Sequence, residues 1–283
     1  MFPEAFTFSI AKPVNDAVDW LVINYGDSFE AVSNALLTVL VALEHGLEAL
    51  PWWLLIILLS GIGYAASRNW KLPVGIACLM LGLGSLGLWD QGLQTLALML
   101  IATFLSVLIG IPIGILMARS DKLRMVLLPF LDIMQTMPSF VYLIPALMLF
   151  GLGKVPAIFA TIIYAVPPLI RLTDLGIRLV DEEVMEATRA FGANPRQQLF
   201  GVQLPLALPN ILAGVNQTTM MALSMVVIAS MIGARGLGEQ VLMGIQRLDV
   251  GKGLEAGIGI VLLAVLFDRV TQAYGRRSQR GGH

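Results

Sequence analysis

Apolar residues fill most of this chain in blocks of helical length, separated by short polar intervals. Seven blocks predict membrane-spanning helices, since about 20 helical residues cross a hydrocarbon core of about 30 Å. They are 51–67, 72–89, 92–118, 128–151, 155–170 continuing toward 177, 208–232 and 254–271. Pro112 falls in the third, Pro138 and Pro145 in the fourth, and Pro167-Pro168 near the end of the fifth. Glu255, Asp268 and Arg269 trim the seventh to an apolar centre of about 12 residues. Ahead of these blocks, Val14, Val18, Leu21, Val22 and Tyr25 recur at helical spacing and predict a short amphipathic helix. Residues 28–50 form a second helical run. Its apolar stretch, 31–43, is interrupted by Ser33, Asn34 and Thr38 and bounded by Glu30 and Glu44. That is short for a crossing, so residues 1–50 are expected at the outer interface, with a tilted span as the rival.

One interval breaks the pattern. Residues 181–205, DEEVMEATRAFGANPRQQLFGVQLP, form the longest charge-rich stretch and lie between two long apolar blocks. A helical run over 182–191 is predicted to stop at Gly192, which suits the left-handed conformation that ends helices. Asn194 is placed to cap a second short helix with Pro195 at its first position, where a missing N–H costs nothing. That second run is expected to fade before Pro205. Two short helices and a tight turn, hung between spans, form a docking element.

Composition agrees with a membrane protein. The chain has 283 residues, 57% hydrophobic and 13% charged, against about 25% charged in soluble domains, and its mean hydropathy is +0.81. The net charge of −1 gives no basic face for nucleic acid. Cys78, the single cysteine, excludes an intrachain disulfide and is expected to pack in an apolar run. The first ten residues lack a basic region followed by an apolar core, so no cleavable signal peptide is expected. Placing 181–205 in the cytoplasm puts thirteen of the eighteen Lys and Arg on that side. This bias supports an outer amino terminus and a cytoplasmic carboxyl terminus.

Catalytic chemistry is not visible. No Cys, His, Asp or Glu cluster has metal spacing, and no G-x-x-x-x-G-K-[ST] loop occurs, so ATP hydrolysis by that route falls to another chain. Gly82, Gly84 and Gly87 spell G-x-G-x-x-G inside a hydrophobic block, where small residues serve close helix packing. Gly110 and Gly114, and Gly253 and Gly257, are spaced for helix packing or a subunit contact. Gln135, Thr136, Met137, Pro138 and Ser139, with Pro167-Pro168, put polar or helix-breaking residues at membrane depth, as a path wall or gate does, or a kinked packed helix. Asn216, Gln217, Thr218 and Thr219, then Met220 and Met221, suit a path crossed by a solute or hydrogen bonds between helices. The spans are expected to hold no buried ion pair and no central charge, which argues against an ion-coupled carrier.

Glu186-Ala187-Thr188, three residues, Gly192, nine residues, then Val202, Gln203, Leu204 and Pro205 resemble the EAA motif of ABC importer permeases, EAA-x3-G-x9-I-x-LP. Thr188 stands for the second alanine and Val202 for isoleucine. The resemblance implies that 178–207 is a cytoplasmic coupling loop seated on a separate ATPase, through Glu186, Ala187, Thr188, Gly192, Val202, Leu204 and Pro205. A narrower resemblance covers most of the chain. Residues 135–145, QTMPSFVYLIP, are similar to the fourth-span sequence of glycine betaine/proline permeases, as are Ile232-Gly233-Ala234, Gly236-Leu237-Gly238 and residues 244–257, GIQRLDVGKGLEAG.

These resemblances imply an all-α membrane protein with a five-helix MetI-like core at 92–272. Two accessory spans at 51–91 and the interfacial region 1–50 precede it, and a cytoplasmic tail, 273–283, follows. They imply quaternary ammonium cargo such as glycine betaine, choline, carnitine or proline betaine. The implied partners are an ATPase holding ATP and Mg, an extracytoplasmic binding protein and a second permease copy. No cofactor or metal is expected on this chain, and no enzymatic activity. Thr136, Met137, Pro138, Tyr142, Asn216, Thr219 and Met220 are the candidate path residues, and Tyr142, Phe140, Phe150 and Tyr164 are candidate cation–π surfaces. The rivals are a permease for methionine or a sulfonate, an ion-coupled carrier, and a membrane scaffold.

Overall fold

The computed structural model describes residue 9 and residues 11–280, the last five by backbone alone. Most of the segment read for a signal peptide, and His283, lie outside the described residues. Twelve α-helices follow in order: α1 Ala11–Glu48, α2 Trp52–Ser67, α3 Lys71–Ser85, α4 Trp89–Arg119, α5 Asp121–Thr136, α6 Leu143–Phe150, α7 Lys154–Arg178, α8 Glu182–Ala190, α9 Pro195–Gln198, α10 Leu204–Ile228, α11 Leu237–Gln246 and α12 Val250–Arg280.

Five of these are long and apolar enough to cross a membrane: α1, α4, α7, the run from α9 through α10, and α12. The bent α5–α6 pair makes a sixth. Of the seven expected spans, α2 and α3 have only 16 and 15 residues, below the length of a straight crossing. The expectation for residues 1–50 also changes. The two runs are one unbroken helix of 38 residues. Leu36, Leu40, Leu43 and Leu47 form a stripe that packs against the bundle, and Phe29 meets Phe150 edge to face at 5.5 Å. The helix continues through Gly26, Asp27 and Ser28, which separate the two runs in the sequence.

The core is built around α7, which packs between α4 and α10. Small residues permit that closeness. A Cβ on Gly110 would lie 2.9 Å from Leu169, and one on Gly114 would lie 2.5 Å from Thr173 Cβ and 2.9 Å from the Ile170 carbonyl. The Gly110–Gly114 pair is thus a groove for α7 within the chain. Gly253–Gly257 is not a matching groove: Gly257 has nothing within 4 Å, and Gly253 only Gly244, across the α11–α12 turn. Pro112, Pro167 and Pro168 sit inside continuous helices, and Pro167 and Pro168 are buried. This is the packed-helix alternative for that pair.

The fourth block does break. Pro138 has no N–H and forces extended backbone on Met137, at ψ 137°. The chain then makes a 3-10 turn, Ser139–Tyr142, and α6 leaves at 109° to α5. The expected single span is therefore two helices meeting at a corner.

The expectation of no buried ion pair is overturned. Asp174, 3% exposed, accepts from Arg124 Nε at 3.0 Å and Arg178 Nε at 2.9 Å. Arg178 also pairs with Asp121 at 2.8 Å and donates to the Met117 carbonyl at 3.1 Å. At the other end of α7, Lys154 pairs with Glu44, which is 6% exposed. Both pairs lie at the ends of α7. They tie α1, α4 and α5 to it, which linear spacing does not reveal.

Candidate functional site

The 181–205 interval forms as local chemistry dictates. Asp181 accepts from the Glu183 N–H at 2.9 Å and caps α8, with Glu182 and Glu183 in the first turn, where the helix dipole favours acids. At the far end Gly192 has φ +79°. The Ala193 N–H donates to the Thr188 carbonyl at 3.0 Å and the Gly192 N–H to the Arg189 carbonyl at 2.9 Å. These are the two bonds of a Schellman cap. Asn194 and Gln197 then exchange side-chain and backbone bonds at 2.9 Å, a full capping box, with Pro195 at the first helical position.

The second helix does not fade before Pro205. It runs through a π turn, Leu199–Gln203, directly into α10. Pro205 has no N–H to give the Gly201 carbonyl, and the wider turn brings the Leu204 N–H to the Leu199 carbonyl instead. α9 is therefore rigidly joined to the long helix α10. Arg119, at the end of α4, donates to the Pro195 carbonyl at 3.2 Å and braces the turn from the side.

Met185 and Leu199 are the buried side chains of the element. Glu186, Ala187 and Gly192 are exposed, Thr188, Val202 and Leu204 are half-buried, and Pro205 is exposed. Two aromatic side chains also face outward: Phe191, 92% exposed at the apex, and Phe200. Neither belongs to the motif positions. An apolar ring beside a turn-forming glycine in an otherwise charged interval was the available signal.

The candidate path residues fall into two groups. Met137 and Tyr142 pack together with Tyr164 and Met221, the Tyr142 and Tyr164 rings lying 6.2 Å apart. Tyr142 is buried, and its hydroxyl donates to the Met134 carbonyl, bracing the α5–α6 corner. Thr136 and Pro138 are exposed at that corner. Phe150 stacks on Phe159 at 4.1 Å, and Phe140 is exposed. Asn216 lies elsewhere. It donates to Asp268 at 3.2 Å and accepts from Thr271, both on α12. Thr218 donates across to the Ala165 carbonyl at 2.8 Å, and buried Thr219 bonds within its own helix. Met220 is half-buried. For Asn216 and Thr218 the hydrogen-bonded alternative is the one realised. Cys78, expected to pack, is exposed.

Residues 110–280 match the family model described as the binding-protein-dependent transport system inner membrane component. The chain belongs to that family. Among curated relatives it is 48% identical over 272 residues to the glycine betaine/proline betaine transport system permease protein ProW of Escherichia coli, covering 95% of this chain and 76% of the relative. It is 45% identical to the glycine betaine transport system permease protein OpuAB of Bacillus subtilis, covering 93% of each chain. It is 42% identical to the glycine betaine/carnitine transport permease protein GbuB of Listeria monocytogenes, covering 98% and 99%. A solved methionine ABC transporter, MetNI, in inward-facing conformations, shares the fold at a TM-score of 0.60 and 22% identity, covering 65% of this chain and 93% of that one. The permease fold is thus the MetI-like one, and the likeness to betaine permeases covers most of the chain, as the resemblance implied.

Proposed function

We propose that this chain is the membrane subunit of an ATP-driven importer of quaternary ammonium compounds: glycine betaine, choline, carnitine and proline betaine. The observation that carries the reading is the preformed turn at 181–205, bearing an exposed aromatic apex and fused at α9 to α10. Movement of that turn is movement of a membrane helix. A partner ATPase gripping α8 and α9 would therefore pull directly on α10, which packs on α7. ATP and Mg belong to that partner, and this chain performs no catalysis. The cargo follows from the names of the relatives that match nearly its whole length.

Two copies enclose the path, with the corner residues Thr136, Met137, Pro138 and Tyr142, and with Thr219 and Met220, along it. Exposed Phe130, Ile133, Phe140 and Ile144 on the α5–α6 corner give each copy an apolar face for the other. A separate binding protein delivers cargo from outside. In this arrangement α8 and α9 are cytoplasmic, the amino terminus is outside, and 1–50, 51–91 and 273–283 flank the 92–272 core as accessory segments. The test is uptake into vesicles containing this chain, its ATPase and its binding protein. Glycine betaine, choline or carnitine should accumulate only with ATP. Accumulation of methionine and of none of these would overturn the cargo assignment.

A further inference from the structure

A large cavity lies away from the proposed path. It opens where the α2–α3 hairpin leans on α12 and measures about 1340 Å³. Leu72 and Ile76 carry one wall along α3, and Val265 carries the other on α12. Arg68, Lys71 and Arg269 line its end at the α2–α3 turn. No Asp or Glu lines the cavity. None of the three cations forms an ion pair among the described residues. Asp268, next to Arg269, is engaged with Asn216 and Gln272 instead. Three like charges without an acid repel one another, and a bound anion relieves that repulsion.

The depth of the site follows from its neighbours. Trp70, in the same turn, is 68% exposed, and Tyr64, one helical turn before Arg68, and Tyr274, five residues after Arg269, are also exposed. Exposed Trp and Tyr favour the headgroup level of a bilayer, so the cations sit at phosphate depth. The hairpin is also short. Helices of 16 and 15 residues rise about 24 and 22 Å, less than the hydrocarbon thickness of about 30 Å. Acyl chains must follow the protein into that mismatch. An apolar wall leading away from a triad of unpaired cations matches an amphiphile with a phosphate head.

We propose that this cavity binds an anionic phospholipid, its phosphate against Arg68, Lys71 and Arg269 and an acyl chain along Leu72, Ile76 and Val265. The recognised group is a phosphate ester, which soluble metabolites also carry; the apolar wall assigns the site to the lipid. The test uses the full-length chain purified with its ATPase from bilayers of phosphatidylcholine and phosphatidylglycerol, with retained lipid counted by native mass spectrometry. Two variants are decisive. R68Q/K71Q/R269Q removes the charge. G75L fills the apolar side, where a Cβ meets nothing within 4 Å. Both should lower retained phosphatidylglycerol about tenfold while K122Q, a surface cation elsewhere, leaves it unchanged. Glycerol 3-phosphate should not displace the lipid. Unchanged retention in G75L and in the charge variant would overturn the site. Displacement by glycerol 3-phosphate would overturn its assignment to lipid. If the triple variant fails to assemble, R269Q alone and G75L decide by the same readout.

Discussion

Gly192→Val tests the coupling turn through a single backbone angle. Gly192 holds φ +79°, and a Cβ there meets nothing within 4 Å. The substitution therefore introduces no clash, and its whole effect is conformational. An L-residue in left-handed geometry costs about 1–2 kcal/mol, with β-branched side chains at the upper end. Leaving that geometry instead breaks the bonds from Ala193 to Thr188 and from Gly192 to Arg189. At about 2 kcal/mol the formed turn becomes about 30-fold less populated relative to alternatives. Affinity for the ATPase, measured by co-purification across a titration in detergent, should fall by about 10- to 30-fold, with stimulated ATP hydrolysis falling in parallel. Membrane insertion should be normal, because α7 and α10 are untouched. Gly192→Asn should recover much of the loss, since Asn tolerates the left-handed region. Full association and hydrolysis in Gly192→Val would refute the argument that this turn must be preformed.

Four further substitutions separate docking from folding. Phe191→Ala removes a 92% exposed ring, so thermal stability should not change, while ATPase association should weaken by about 2 kcal/mol if the ring fills a pocket as a buried anchor; co-purification and a melting curve read the two effects. Asp174→Ala removes the buried carboxylate shared by Arg124 and Arg178, which are themselves partly exposed, and leaves Arg178 its bond to Asp121; it should destabilise that end of the bundle by about 1–3 kcal/mol, seen as a lowered melting temperature in detergent. Gly114→Ala drives a methyl to 2.5 Å from Thr173 Cβ and should cost about 1–3 kcal/mol, whereas Gly257→Ala meets open space and should melt like the wild type.

The two helices and turn at 181–205 were legible in the sequence because their determinants are local. Asp181, Gly192, Asn194 and Pro195 act on backbone groups within a few residues, so spacing alone sets the caps. The apolar blocks were legible for the same reason, and α2, α4 and α10 begin and end within about four residues of expectation. What spacing hid depends on partners distant in the chain. Asp174 meets Arg124 across 50 positions, and Lys154 meets Glu44 across 110, so neither pair has a linear signature. The packing of α1 against the bundle through Leu36, Leu40, Leu43 and Leu47 likewise depends on distant partners. The π turn before Pro205 accommodates a proline within a helix that continues through it. Polar residues in α10 were ambiguous because Asn216 looks the same in a sequence whether it faces solute or Asp268.

The most direct measurement is cross-linking from the apex of the turn. In a Cys78→Ser background, Phe191→Cys places one thiol at the exposed end of α8. A membrane-impermeant maleimide should label it in inverted vesicles and not in intact cells, and a short bifunctional reagent should join it to the ATPase subunit, with a yield that changes when ATP is added. Labelling from the outer face, or no adduct with the ATPase in a complex that still transports, would contradict the account.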